Sequence, residues 1–105
     1  PSIGLFSGAV SDPKLAAAYT NRGAAYGKQG EHAKAIADYS EAIQLDPKDA
    51  SNHRKRGYCR YLQGNYEGAI ADYERALVIE PNDGEGRKYL ALSREKLEKQ
   101  RTGKQ

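Results

Sequence analysis

The sequence predicts an all-α protein built as a stack of antiparallel helix pairs. Three prolines, Pro13, Pro47 and Pro81, are evenly spaced along the chain, and each directly follows an acidic residue. Residues 16–49 and 50–83 align without a gap and are identical at 13 of 34 positions. A chain of such duplicated helical units is usually a binding scaffold rather than a catalyst.

The first unit contains two predicted helices. Ala16 to Lys28 follows Ser11-Asp12-Pro13, in which a capping residue and a proline favour a helix start. Gln29-Gly30-Glu31 breaks this helix. Ala33 to Leu45 then carries apolar residues at three- and four-residue spacings, the pattern of an amphipathic helix. This helix ends at Asp46-Pro47, because the residue before a proline is pushed out of the helical region.

The second unit repeats this plan, and a further helix follows it. Ser51 to Leu62 and Glu67 to Ile79 are predicted helices, joined by a turn at Gln63-Gly64-Asn65. A fifth helix is predicted over roughly Glu85 to Lys99, where one side is strongly polar. A polar outer side suits a terminal helix, because it keeps the open end of a repeat stack compatible with water.

These elements divide the chain into a repeat domain with two terminal segments. The predicted boundaries are an arm or linker remnant at 1–12, repeat one at 16–49, repeat two at 50–83, a capping helix at 84–100 and a flexible tail at 101–105, the whole domain covering 13–100. The arm has two interpretations. It is a loosely packed linker remnant, since glycines at Gly4 and Gly8 each weaken a helix by about 1 kcal/mol, or its apolar side chains cover the first helix, in the same chain or in a neighbouring one.

Composition restricts the function classes. A length of 105 residues supports one domain, and the uncharged runs are far shorter than the roughly 20 residues that span a membrane. A formal net charge of +3 is too small for a dense nucleic-acid-binding face and weakly favours acidic partners. The single Cys59 excludes an intrachain disulfide and fits a reducing compartment, so a cytoplasmic location is predicted.

Both units carry small and aromatic residues at the same spacings. They are Tyr19, Gly23, Tyr26, Ala35, Tyr39, Ala42 and Pro47 in the first unit, and His53, Gly57, Ala69, Tyr73, Ala76 and Pro81 in the second. This pattern resembles the tetratricopeptide repeat, a 34-residue helix–turn–helix unit. The mid-helix glycines are expected to let the rings of Tyr39 and Tyr73 press against the backbone. Arg22 and Arg56 depart from the pattern, which places leucine there.

The resemblance implies a right-handed superhelical stack in which the first helix of each pair lines a concave, peptide-binding groove. The residues it assigns to the groove are Thr20, Asn21, Arg54, Lys55, Tyr58, Tyr61 and Lys88, with Ala17, Ala24, Lys28, Ser51, Leu62, Glu85 and Leu92 around them. A basic, tyrosine-lined groove suits an acidic peptide or a C-terminal carboxylate. One subset of the family clamps acidic chaperone tails, but here only Asn21 and Lys55 match that five-residue clamp, and Ser51 stands where it needs a basic residue.

No residue pattern predicts an enzyme, a cofactor or a metal site. The two histidines lie on different predicted elements, and Cys59 is predicted to be a small buried apolar residue. The predicted function is therefore a protein-interaction module that binds a peptide segment or acidic tail of a partner. The alternative is self-association, because two and a half repeats leave Leu15, Ala18 and Tyr19 of the first helix uncovered. A piece of a longer repeat array would leave the same face open.

Overall fold

A computed structural model describes residues 11–103 of the protein, and within that range the chain is entirely α-helix and connecting turns. The five helices are α1 (Pro13–Lys28), α2 (His32–Leu45), α3 (Ala50–Leu62), α4 (Tyr66–Ile79) and α5 (Gly84–Thr102). The predicted all-α fold is confirmed, and each predicted helix end lies within three residues of the observed one. The predicted N-terminal arm lies outside the described residues except for Ser11 and Asp12.

The helices pack as two pairs followed by a single helix. In each repeat the first helix packs against the second, α1 against α2 and α3 against α4. Helix α2 joins the repeats by packing on α3, and α5 covers α4 and contacts α3. The helix α5 is longer than expected, because it continues through Arg101 and Thr102 and ends only at Gly103, whose φ of 67° is in the left-handed region. The start of the predicted tail is therefore helical.

The glycines in the middle of α1 and α3 are sites of close helix approach. A Cβ atom added to Gly23 would lie 2.9 Å from the Tyr39 ring, and one added to Gly57 would lie 3.1 Å from the Tyr73 ring. The expected contact between glycine backbone and tyrosine ring is thus confirmed in both repeats. The absence of a side chain lets the two helices of each pair pack at short range, which offsets the low helix propensity of glycine.

The two arginines that depart from the family's leucine position pair with buried aspartates. Arg22 donates two hydrogen bonds of 2.8 Å to the Asp38 carboxylate, and Arg56 donates bonds of 3.0 and 2.8 Å to Asp72. Arg60, where the family has a second aromatic residue, also donates to Asp72 at 3.0 Å. These charge-assisted, two-point pairs replace an apolar contact between the helices of each repeat.

A buried histidine gives the fold a pH dependence. Burial lowers the pKa of His53 below its ordinary value of 6.5, and the nearby Arg56 and Arg75 also lower it, while backbone contact with Pro47 and the charge of Asp72 oppose the shift. In the unfolded chain the imidazole regains its ordinary pKa, so below about pH 6.5 the unfolded state binds this proton more readily. We therefore expect the free energy of unfolding, measured by urea denaturation, to fall as the pH decreases from about 6.5 to about 5.

The matched variant for this measurement is His53→Gln, which removes the titrating group at the same position. Its free energy of unfolding should change less with pH over the same interval. A slope as steep as that of the original protein would show that another group is responsible.

Candidate functional site

A cavity of about 400 Å³ opens on the side of the stack formed by the first helices of the repeats. Its lining is Ala24, Gly27 and Lys28 from α1, His32 and Tyr39 from α2, Arg54, Lys55, Tyr58, Cys59 and Leu62 from α3, and Glu85 from α5. We call this cavity the groove. Its lining combines apolar and aromatic side chains with three basic side chains and the acidic Glu85.

Three of the seven residues assigned to the peptide site line the groove, namely Arg54, Lys55 and Tyr58. The others do not, for different reasons. Thr20 connects helices, since its hydroxyl bonds to the buried Asn52 at 2.6 Å and to the Ala16 carbonyl at 3.0 Å. The remaining three are Tyr61, which packs among other tyrosines, and Asn21 and Lys88, which are exposed outside the cavity.

The positive charge of the groove comes from two lysines. Lys28 lies in the last turn of α1 and Lys55 is half-buried on α3, and neither forms an ion pair within residues 11–103. A carboxylate that enters the groove could therefore pair with either lysine without displacing an acidic side chain of residues 11–103. The groove is thus electrostatically suited to an anionic ligand.

Arg54 differs from these lysines because acidic residues of the chain already neutralise it. Its guanidinium lies 3.0 Å from Asp83, 3.7 Å from Glu80 and 3.9 Å from Glu85. Burial by itself would raise the pKa of Asp83, but the hydrogen bonds from the Gly86 backbone and from Arg54 outweigh this and lower it. Arg54 therefore links α3 to the start of α5 through its ion pair with Asp83.

The tyrosine at the edge of the groove is held by its neighbours. Tyr58 is 39% exposed, and its ring meets Tyr89 edge-to-face with 5.2 Å between the centroids. Tyr61 contacts Tyr89 at 5.4 Å and Tyr66 at 5.7 Å, and Tyr89 in turn stacks on the fully buried Tyr73 at 5.9 Å. Such edge-to-face and offset-stacked pairs are favourable, so Tyr58 presents a flat contact surface that is already ordered.

The groove is also lined by residues outside the predicted site. Tyr39 and His32 come from α2, although only first helices were expected to contribute. A Cβ atom at Gly27 would meet nothing within 4 Å, so this glycine widens the groove over α1. Cys59 is buried as expected, and burial raises the pKa of its thiol. The sequence did contain a signal for Tyr39. Its ring was expected to press against the backbone of α1 at the mid-helix Gly23, which brings it close to the groove-lining helix.

Neither a metal cluster nor a bilayer-spanning helix is found in the part of the chain that the structure describes. Residues 11–103 bring together no group of three or more His, Cys, Asp and Glu side chains with the arrangement of a metal site. None of their helices has the length and apolar character required to cross a membrane.

The sequence model of the tetratricopeptide repeat matches residues 16–49 and 53–83, which together make up more than half of the chain. The protein belongs to the tetratricopeptide repeat family. Members of this family are generally interaction modules without catalytic activity. A comparison with curated proteins found no match.

Solved tetratricopeptide domains have the same fold. The first such domain of Spaghetti (RPAP3), bound to the HSP90 peptide SRMEEVD, has a TM-score of 0.79 and 22% identity, over 84% of this chain and 72% of that one. The Arabidopsis OM64 domain has a TM-score of 0.73 and 30% identity, over 76% and 66%. The first domain of human RPAP3 has a TM-score of 0.51 and 22% identity, over 87% and 98%.

Proposed function

We propose that this tetratricopeptide domain binds an extended, acidic peptide segment of a partner protein in the groove. The observation that carries the proposal is the pair of lysines at the groove, Lys28 and Lys55, neither of which has an ion-pair partner within residues 11–103. Both lie beside apolar and aromatic surface. A peptide carboxylate would pair with one or both ammonium groups through charge-assisted hydrogen bonds.

Apolar contacts would add to this charge pairing and set the position of the peptide. Tyr58 and Leu62 lie one helical turn apart on the same side of α3. Both remain exposed, at 39% and 47%. An apolar peptide residue next to the acidic one would cover these side chains. Tyrosine is enriched at binding hot spots, because its rigid ring supplies contact area at a low cost in conformational entropy.

The comparison with RPAP3 supports an acidic ligand class without identifying the partner. The peptide bound to that protein, SRMEEVD, contains three acidic residues. In this chain Asn21 and Lys55 match two positions of the family's chaperone-tail clamp, whereas Ser51 replaces a basic one. Acidic peptides as a class, rather than chaperone tails in particular, are therefore the proposed ligands.

Charge reversal at Lys55 tests the proposal. The probes are fluorescently labelled SRMEEVD and its neutral counterpart SRMQQVN, with binding followed by fluorescence anisotropy. We expect Lys55→Glu to weaken binding of the acidic probe about tenfold or more, which corresponds to about 1.4 kcal/mol. The loss should be larger at low salt, because added salt screens the attraction in the original protein.

The matched control is Lys96→Glu, the same charge change at an exposed position of α5 that lies outside the groove. Its affinity for the acidic probe should stay close to that of the original protein. Equal affinities for SRMEEVD and SRMQQVN would show that the acidic side chains are not recognised, and equal losses in the two lysine variants would remove Lys55 from recognition.

Self-association is the second candidate function, and one observation favours it. Leu15 on the outer face of α1 is 45% exposed, at the end of the stack where a preceding helix pair would pack. Gel filtration with light scattering over a wide concentration range separates the two functions. A monomer at high concentration would exclude self-association and leave peptide binding as the remaining candidate function.

The cytoplasmic location remains a prediction from the cysteine content.

A further inference from the structure

Among residues 11–103, no helix covers the outer face of α1, whereas α2 covers the equivalent face of α3. The Arg22 side chain is 60% exposed, but its equivalent in the second repeat, Arg56, is only 19% exposed. Ala25 is exposed, while the equivalent Cys59 is buried. A cavity of about 260 Å³ lies on this face of α1, lined by Leu15, Ala18, Tyr19 and Arg22. The duplication thus identifies surface that one repeat buries and the other leaves open.

The element that covers α3 is the second helix of the preceding repeat, α2. The Nη1 atom of Arg56 donates a 2.9 Å hydrogen bond to the Ser40 hydroxyl of α2. Cys59 packs in one cluster with Ala35 and Tyr39 of the same helix. A segment that packs on α1 in the same way would contact Arg22 and Ala25.

The repeat spacing assigns this role to the beginning of the chain. Shifting the positions in α2 that touch α3 back by one repeat gives Leu5 for Tyr39 and Phe6 for Ser40. The same shift carries Asp46-Pro47 onto Asp12-Pro13, so the segment precedes α1 in the sequence as α2 precedes α3. We propose that residues 1–12 dock on the outer face of α1 of the same chain, with Leu5 against Ala25 and Phe6 against Arg22.

The residue types in the segment fit that position. Phe6 would place an aromatic ring beside the exposed guanidinium of Arg22, an arrangement favoured by the charge on the arginine and by the coverage of its apolar stem. Gly8 takes the place of the fully buried Ala42, where only a small residue is accommodated. Gly4 would take the place of Asp38. Asp38 is a buried carboxylate that pairs with an arginine from the first helix of its own repeat, and a glycine at this position needs no such partner.

Attachment to α1 makes the segment of the same chain the preferred occupant. Asp12 is fixed at the start of α1, where its carboxylate accepts from the Leu15 amide at 3.2 Å and its own amide donates to the Leu45 carbonyl at 2.9 Å. A segment tethered at this point has a high effective concentration at the adjoining face, whereas a second copy must bind from solution.

The test uses the full chain and the double variant Leu5→Ser/Phe6→Ser. We expect the variant to lower Tm by about 4–8 °C, the shift that a small domain shows for the loss of one such contact. The matched control is Val78→Ser, an apolar-to-serine change at a position that is 69% exposed, which should leave Tm nearly unchanged. Nuclear Overhauser contacts should join the Phe6 ring to Arg22, and Leu5 to Ala25, in dilute samples.

Two results would overturn the proposal. Contacts seen only between differently labelled chains in a mixed sample would show that a second copy supplies the segment. A double variant with the Tm of the original protein, together with no contacts from Leu5 or Phe6 to α1, would show that the face is left uncovered by this segment.

Discussion

Replacement of Asp72 by alanine is expected to lower the free energy of unfolding by about 3 kcal/mol. The Asp72 carboxylate is buried and accepts hydrogen bonds from both Arg56 and Arg60. These two guanidinium groups are only 19% and 26% exposed, so without the carboxylate they would be partly desolvated charges with no anion between them. Urea denaturation of the original protein and of Asp72→Ala measures the loss.

The duplicated pair in the first repeat supplies the control. Asp38→Ala removes the same group, but its partner Arg22 is 60% exposed and can be hydrated in the variant. With Leu5→Ser/Phe6→Ser as background, so that the proposed arm does not cover Arg22, we expect the loss to be clearly smaller than that for Asp72→Ala. Losses of equal size in the two repeats would mean that the exposure of the arginine does not determine the cost.

Gly23→Ala is expected to destabilise the protein by about 1–2 kcal/mol, although alanine favours helices more than glycine does. The new Cβ atom would lie 2.9 Å from the Tyr39 ring and 3.2 Å from the Asp38 Cβ atom. Neither neighbour can move freely, because Tyr39 is buried and Asp38 is held by Arg22. Overpacking of this kind costs about 1–3 kcal/mol, which exceeds the gain of up to about 1 kcal/mol from helix propensity.

Gly27→Ala is the matched control, one turn later in the same helix. Its Cβ atom would meet nothing within 4 Å, so only the helix propensity changes. Thermal unfolding should therefore show a higher Tm for Gly27→Ala and a lower Tm for Gly23→Ala. A higher Tm for both variants would contradict the close approach of α1 and α2 at Gly23.

The helices were predictable from the sequence because their signals are local. Capping residues, prolines and the spacing of apolar side chains gave all five helices, and the largest errors fell at the start of α1 and the end of α5. Helix α1 already begins at Pro13, directly after the Asp12 cap. The end of α5 depends on Gly103, whose left-handed conformation stops the helix beyond the last apolar residue.

The buried ion pairs were not predicted, although the sequence contains a signal for them. The family pattern marks Arg22 and Arg56 only as departures from leucine, whereas Asp38 and Asp72 follow them at the same spacing in both units. Such pairs depend on the contact between two helices, which hydrophobic periodicity does not describe. Because the arginine and the aspartate both recur at the same positions of the second repeat, a comparison of the two repeats indicates that they pair.

The candidate site was predicted only in part, because side chains reach it from elements that sequence spacing does not bring together. The resemblance pointed to the face of α3 on which Lys55 and Tyr58 line the cavity, and their role in binding stays a prediction. It did not show that Arg54 is neutralised by Asp83, which lies far from it in the chain. Nor did it show that Thr20 bonds to Asn52, because the first repeat has alanine at the position of Asn52 and so provides no precedent.

The most direct test of groove binding is a nuclear magnetic resonance titration of the ¹⁵N-labelled protein with unlabelled SRMEEVD. Binding in the groove predicts that the largest amide shifts fall on the segments around Lys28 and on α3 from Lys55 to Leu62, and that the neutral SRMQQVN produces much smaller changes. Shifts concentrated instead on exposed positions of α4, such as Glu74 and Val78, or equal shifts with the two peptides, would contradict acidic-peptide recognition by the groove.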